Sequence, residues 1–320
     1  MFFRKKQGFR IYYASDIHGS ERCFLKFLNA AKFYNAQALV LGGDVTGKAI
    51  VPIVKSGGQW RATFHGKQHL LTSEAEVEEM EKTVHFNGFY PYRTTPEEVQ
   101  QMDGDADYTR TIFDSLMRKT MERWMTLAES RLQGTGIELF AIAGNDDEFY
   151  IDEVIKSSNF VKYNDDTVVE IGPCQMVGFS YANPTPWSSP RELPEEELYN
   201  RLKALVSRLD GSRPAIFNFH VPPYDSKLDE APQLREDLSM TVVGGQPKII
   251  PVGSHAVRRI IEEYQPLLGL HGHIHESRAV AKLGRALVMN PGSRYGEGIL
   301  DGALVTIGDK KIETYQLVVG

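Results

Sequence analysis

The chain has 320 residues, of which 42% are hydrophobic and 24% charged, and a formal net charge of −6. That length holds one large α/β domain or two smaller ones, and the acidic balance, with no long Lys/Arg stripe, argues against non-specific binding to duplex nucleic acid. With only Cys23 and Cys174 there is no disulfide framework. No apolar run approaches the ~20 residues of a membrane span, and Met1-Phe2-Phe3-Arg4-Lys5-Lys6 lacks the apolar core and cleavage pattern of a leader, so a cytoplasmic protein is expected.

Phe9-Arg10-Ile11-Tyr12-Tyr13-Ala14 has the β-branched and aromatic content of a buried strand. Asp16-Ile17-His18-Gly19 follows, and Ser20 opens a helix with apolar spacing at Phe24, Phe27, Leu28 and Ala31. A carboxylate and an imidazole two residues apart at a strand's C-terminal end project the same way, at the edge where open α/β sheets bind ligands. One oxygen and one nitrogen donor there suit a divalent transition metal; a loop Asp beside a surface His is the plainer alternative. Gln37 to Leu41 reads as a second buried strand, ending in Gly42-Gly43-Asp44-Val45-Thr46-Gly47, where glycines flank one carboxylate. Strand, helix, strand with an acid at each strand end makes a βαβ unit.

Residues 48–136 interrupt that rhythm. Trp60 to Phe64 alternates, and His65-Gly66-Lys67 turns it into a hairpin with Gln68 to Leu71. Ser73-Glu74-Ala75-Glu76 is a capping box, Thr95 and Pro96 start another helix, and a long helix is predicted from about Tyr108 to Leu132, with Ile112, Leu116, Met117, Trp124 and Leu127 on one side. So large an insertion, mainly helical, is expected to be a cap or a contact surface, including one between copies of the chain. His65, His69 and His85 read as structural or exposed.

Ile137 to Ala143 resumes the sheet and ends in Gly144-Asn145-Asp146-Asp147-Glu148. Strands follow within Val168 to Ser180, then a turn-rich loop, Tyr181 to Trp187, and an amphipathic helix from Glu195 to Leu209 with acids in its first turn. Ala215 to Phe219 leads to His220-Val221-Pro222-Pro223. Ser254 and His255 begin a helix through Tyr264, Leu267 to Leu270 delivers His271-Gly272-His273-Ile274-His275, and a hairpin turning near Gly284 precedes two final strands.

Five apolar runs thus end in Asp16/His18, Asp44, Asn145, His220 and His273/His275. Chance placement of so many polar ends on one sheet edge is implausible, because burying unpaired polar groups is costly. Two Asp, one Asn and four His exceed one ion's needs; they suit two ions sharing a carboxylate, with room for water and substrate. In order and spacing, Asp16-Ile17-His18, Gly43-Asp44, Gly144-Asn145-Asp146, His220 and Gly272-His273-Ile274-His275 resemble the calcineurin-like metallophosphoesterases. The motifs span residues 16 to 275.

The resemblance implies one domain over residues 1–320, a four-layer α/β/β/α sandwich of two mixed sheets carrying the 48–136 insertion. It implies two transition-metal ions, divalent or mixed-valence (Mn, Fe or Zn): Asp16, His18 and His275 on one, Asn145, His220 and His273 on the other, and Asp44 bridging. It also implies hydrolysis of a phosphate ester by in-line attack of a metal-held hydroxide. His271, outside the ligand pattern, is expected in the core or behind the ligands. Many members carry His after the motif Asn, to stabilise or protonate the leaving group; here Asp146 stands in its place, and acts as an acid only if burial or a neighbour such as Asp147 raises its pKa. Asp146, Asn145 and His220 are therefore the expected catalytic residues, and phosphodiesters, or esters with good leaving groups, the expected substrates. Asn183, His255 and Arg294 lie in loops that reach the metal edge and are candidate substrate contacts, with turn capping or surface exposure the alternative for each; Trp187 reads as packing. The competing functions are a phosphomonoesterase, a protein phosphatase (whose usual Asp-Arg-Gly continuation is replaced by Val45-Thr46-Gly47), a nuclease, and an inactive scaffold for interactions. The expected partner is a small phosphate ester.

Overall fold

A computed structural model describes residues 8–320, so the reading of Met1 to Lys6 falls outside the described residues. The chain runs β1 (Phe9–Ala14), α1 (Glu21–Phe33), β2 (Ala38–Gly42), β3 (Ile50–Ser56), β4 (Gln59–Phe64), β5 (Lys67–Leu71), α2 (Glu74–Phe86), β6 (Tyr90–Thr94), α3 (Pro96–Gly104), α4 (Ala106–Leu132) and β7 (Glu138–Ile142). It continues through α5 (Tyr150–Lys156), β8 (Lys162–Tyr163), β9 (Val168–Ile171), β10 (Cys174–Phe179), α6 (Glu195–Val206), β11 (Ala215–Phe219), β12 (Glu230–Pro232), β13 (Val242–Val243), β14 (Gln246–Pro247) and β15 (Ile249–Pro251). Last come α7 (His255–Tyr264), β16 (Leu268–Leu270), β17 (Ala279–Leu283), β18 (Ala286–Asn290), β19 (Asp301–Ile307) and β20 (Ile312–Val319).

Two six-stranded mixed sheets stack face to face, one ordered β20-β19-β1-β2-β7-β8 and the other β17-β18-β16-β11-β10-β9. The period-2 alternation of a strand explains why both are buried on two faces. In β1, Ile11 and Tyr13 enter the core between the sheets, where they meet Met176, Ile216 and Leu270. Tyr12 and Ala14 point the other way, into a core with Phe24 and Phe27 of α1 and Trp124 of α4. On the far side, Val177, Phe217 and Phe219 pack beneath Leu198 and Leu202 of α6 and Val257 and Ile260 of α7. The result is the expected four-layer α/β/β/α sandwich. Ser20, Ser73, Thr95 and Ser254 cap their helices as the sequence predicts.

Strands β1, β2 and β7 are parallel neighbours, as are β10, β11 and β16. Their C-terminal ends therefore gather at one end of each sheet. Within residues 48–136, the hairpin β4–β5 joins β3 and β6 in a four-stranded sheet, which encloses a small core of Ile53, Phe64, Val77 and Val84. The second half of α4 belongs to the sandwich itself: Met121, Trp124, Met125 and Ala128 are buried there, with Trp124 stacked on Phe24 at a centroid distance of 4.3 Å. Among the described residues no helix is long and apolar enough to cross a membrane.

Candidate metal centre

All seven side chains expected as ligands converge where the two sheets share an end. The loops after β1 and β2 are stitched together: Asp16 N–H donates to the Gly43 carbonyl (2.9 Å), His18 N–H to Asp44 O (3.0 Å) and Gly19 N–H to Val45 O (2.8 Å). Asp16, His18, Asp44 and His273 all adopt positive φ, from 38° to 68°. Non-glycine residues rarely hold that conformation, and its clustering marks a functional site. Two glycines are required by close approach. A Cβ on Gly144 would lie 2.1 Å from Asp44 Oδ1, and one on Gly272 2.2 Å from Asp16 Oδ2.

The donors form overlapping groups: Asp16, His18 and His275; Asp16, Asp44 and His220; and His18, Asp44 and Asp146, with the ligand atoms of each group within 4.8 Å of one another. Asp44 faces both halves, with Oδ2 at 3.7 Å from His18 Nε2 and Oδ1 at 3.4 Å from His220 Nε2. Asp16 Oδ1 stands 3.4 Å from His275 Nε2. His220 Nδ1 donates to the Gly42 carbonyl at 2.9 Å, which leaves Nε2 facing Asn145 Oδ1, 3.0 Å away, to carry either a proton or a cation. Asn145 is held in that orientation because its Nδ2 donates to Asp146 Oδ1 (3.2 Å), and the same Asn145 oxygen is 2.7 Å from His273 Nδ1. His18 Nε2 and His275 Nε2 also confront each other at 3.1 Å. Electron-rich atoms at such distances repel unless a proton or a cation lies among them. This donor set fits metal ions.

The electrostatics divide the imidazoles: nearby carboxylates favour a proton on His220 and His275, which a bound cation must displace, while burial strips it from His18 and His273. Burial pulls the His220 imidazolium down, but the Asp44 carboxylate, Asp16 and the Gly42 carbonyl outweigh it and lift its pKa to about 10. Burial raises Asp44 to about 6 although His220 opposes the rise, because Asp146 and Asp16 add negative charge nearby. Asp16 resists its own burial: the hydrogen bond from His275 and the charges of His220, His275 and His18 hold it below the usual carboxylate range. Burial drives His18 down and His273 to about 3, leaving both imidazoles neutral, as metal ligation requires.

Asp146 departs from expectation. Its Oδ2 is 2.7 Å from Lys48 Nζ, and its Oδ1 accepts from Ser189 Oγ at 2.6 Å. Burial favours the neutral acid, yet Lys48 and Ser189 prevail and bring it to about 2. The neighbour named in the sequence reading, Asp147, turns away. Buried, it accepts from Val45 N–H (3.0 Å), Gly144 N–H (2.8 Å), Thr46 N–H (2.9 Å) and Thr46 Oγ1 (2.6 Å), joining the loops that carry Asp44 and Asn145. Lys48 and Ser189 thus favour the carboxylate form of Asp146, and Lys48 is the neighbour the sequence reading missed.

Other side chains brace the centre. Arg191, buried, donates from Nε to Asp147 O (2.8 Å) and from Nη2 to Glu148 O (3.0 Å), and pairs with Asp152 at 2.8 Å. Asn290 Nδ2 donates to Gly272 O (3.2 Å) and Ile274 O (2.9 Å). His271 is in the core as expected, its Nδ1 donating to Phe219 O at 2.8 Å. A cavity of about 1100 Å³ opens over the cluster, and Asn183 and His255 line it along with Lys48. Arg294 corrects the sequence reading: its guanidinium is committed to Asp301 (2.9 and 2.7 Å) and takes no part in the cavity wall. Trp187 corrects it too, being 64% exposed at the cavity mouth rather than packed.

No family model matches the chain. The uncharacterized protein MJ1162 of Methanocaldococcus jannaschii is 35% identical over 158 residues, which cover 48% of this chain and 64% of that protein. The chain thus spans less than two thirds of that relative's length. Of solved structures, TT1561 of Thermus thermophilus superposes over 98% of both chains with a TM-score of 0.53 at 15% identity. A dimetal phosphatase from Danio rerio aligns over 98% of this chain and 96% of its own, with a TM-score of 0.46 at 9% identity.

Proposed function

On a four-layer sandwich whose motifs resemble those of the calcineurin-like metallophosphoesterases, we propose a metal-dependent hydrolase of phosphate esters, with phosphodiesters preferred. The observation that carries the reading is the convergence of ligand atoms, His18 against His275 and Asn145 against both His220 and His273, around the Asp16 and Asp44 carboxylates. We assign Asp16, His18 and His275 to one ion, Asn145, His220 and His273 to a second, and Asp44 to both, since its two oxygens face the two halves. Residues 8–320 then act as one catalytic unit, with the β3–β6 sheet as an accessory lobe.

Two cations held by these residues would supply Lewis acidity, lowering the pKa of a coordinated water and neutralising phosphoryl oxygens. The chain's own groups do the rest. Lys48, half-exposed beside the cluster, adds a fixed positive charge where negative charge grows on the phosphoryl or leaving oxygen. Asp146 and Ser189 hold that ammonium in place. A monoester dianion brings two negative charges beside the Asp146 carboxylate and a diester only one, which favours the diester. With Asp146 ionised, departure of the alcohol relies on its own acidity and on cationic stabilisation.

A Mn-supplemented substrate panel tests this, with Asp44→Ala as control. Bis-p-nitrophenyl phosphate is expected to turn over faster than simple alkyl phosphate monoesters, and the control to lose more than about a hundredfold of the rate. A strong preference for alkyl monoesters, or full activity in the control, overturns the proposal.

A further inference from the structure

Of twelve large apolar side chains exposed among the described residues, five lie on one stretch (Leu238, Met240, Val242, Val243 and Ile249), and a sixth, Trp187, lines one cavity with Leu238 and Met240. Solvated apolar side chains are ordinary when scattered; gathered in one patch they mark a binding surface. All but Trp187 belong to one arm, residues 230–251, which projects beside the cavity. The arm is ordered by its own backbone. β12 pairs antiparallel with β15 and β13 with β14, Gln233 N–H donates to Lys248 O (2.7 Å), and Thr241 N–H donates to Gln233 O (2.7 Å). Its base is tied to the metal loop, since Glu230 N–H donates to Ser277 Oγ (3.0 Å), two residues beyond His275.

Trp187, Leu238 and Met240 share one cavity with the candidate metal centre. Asp44, Asn145, His273 and His275 form its polar end, while Trp187, Leu234, Leu238, Met240 and Ile250 form an apolar wall. We infer that the arm and Trp187 hold an extended apolar substituent of the substrate, so that the preferred ester is amphiphilic, with its phosphate at the ligand cluster and its alkyl chain along the arm. The inference rests on the phosphoesterase reading for the placement of the phosphate. Continuity with the ligand cluster favours a substrate chain over a second copy of this protein as the occupant, because a copy seated on the arm would close the mouth.

The test is a series of 4-nitrophenyl alkyl phosphates bearing methyl, butyl and octyl groups, with Mn supplied. In each, water oxygen bonds to phosphorus, the P–O(aryl) bond breaks, and 4-nitrophenolate leaves with the alkyl phosphate as co-product. A methylene moved fully from water onto an apolar surface changes binding about fourfold, so partial coverage predicts a rise in kcat/KM of at least about tenfold from methyl to octyl, mostly through KM. In the Leu238→Ser/Met240→Ser double variant the octyl-to-methyl ratio is expected to fall toward one. A flat series overturns the inference, as does an undiminished ratio in the folded variant. A dimer in sedimentation that the double variant dissociates also overturns it, since the arm would then be covered by a copy. Binding is read separately from tryptophan emission: octyl phosphate, and not methyl phosphate, is expected to shift it to the blue, and Trp187→Phe to abolish the shift. An absent shift counts against the arm, whereas a shift without hydrolysis of any ester sinks the catalytic reading and leaves the apolar site standing.

Discussion

Exchanging Asp147 for asparagine swaps one acceptor for a donor at the point where the loops bearing Asp44 and Asn145 are fastened. The native carboxylate takes three backbone N–H groups and the Thr46 hydroxyl, all buried. The best amide orientation keeps its oxygen on Val45 N–H and Gly144 N–H and turns its NH2 toward Thr46, where the hydroxyl can reverse and accept. Thr46 N–H is then left facing another donor. One orphaned buried N–H costs about 1–3 kcal/mol, and two bonds that change from charge-assisted to neutral lose about 1 kcal/mol each, so Asp147→Asn should destabilise by about 3–5 kcal/mol. That is a large share of the roughly 5–15 kcal/mol that holds a domain folded. Alanine, which strands all three N–H groups, should cost more. Urea unfolding followed by circular dichroism reads the stability, and metal analysis of the folded fraction reads the coupling to the centre. An unchanged unfolding midpoint together with full Mn content would refute the argument that Asp147 fastens the loops.

Gly144→Ala places a methyl against Asp44 Oδ1; Mn binding by calorimetry should weaken about 10–100-fold while the far-ultraviolet circular dichroism stays native. Lys48→Met should lower kcat on bis-p-nitrophenyl phosphate about a hundredfold with Mn stoichiometry unaltered, and Lys48→Arg should recover part of it. An unaffected rate in Lys48→Met would remove the lysine from the chemistry.

The strands that carry the centre were legible because each is an uninterrupted apolar run closed by a glycine or a polar residue, as in β2 before Gly43-Asp44 and β7 before Gly144-Asn145. β3 and β6 were not, because Pro52 and Pro91 interrupt them. Pro52 is accommodated because β4 pairs with β3 only from Ile53 onward, and Pro91 because β6 is an edge strand. In α4, Ile112 and Leu116 are only half-buried, whereas Thr120, Met125 and Ala128 are buried, since only its second half lies on the sandwich. At the centre, residue types and spacing pointed to the seven side chains that meet. What local pattern could not supply was Lys48 reaching Asp146, or Arg191 burying a guanidinium beneath the Asp147-Glu148 turn, since both depend on chain folded in from elsewhere. The doubled acid after Asn145 was the available signal that one of the pair had a structural task. Trp187 misled for the opposite reason: an aromatic in a proline-rich loop looks like packing, but here the loop holds it exposed at the cavity.

Asp16, Asp44 and Asn145 follow strands of one sheet, while His220, His273 and His275 follow strands of the other. Ions held as proposed would therefore rivet the two halves of the sandwich, and prising the halves apart and surrendering the cations become a single event. Resistance to unfolding then scales with the logarithm of free-cation activity over its dissociation constant, so the same supply that switches on turnover would also set how long each molecule endures.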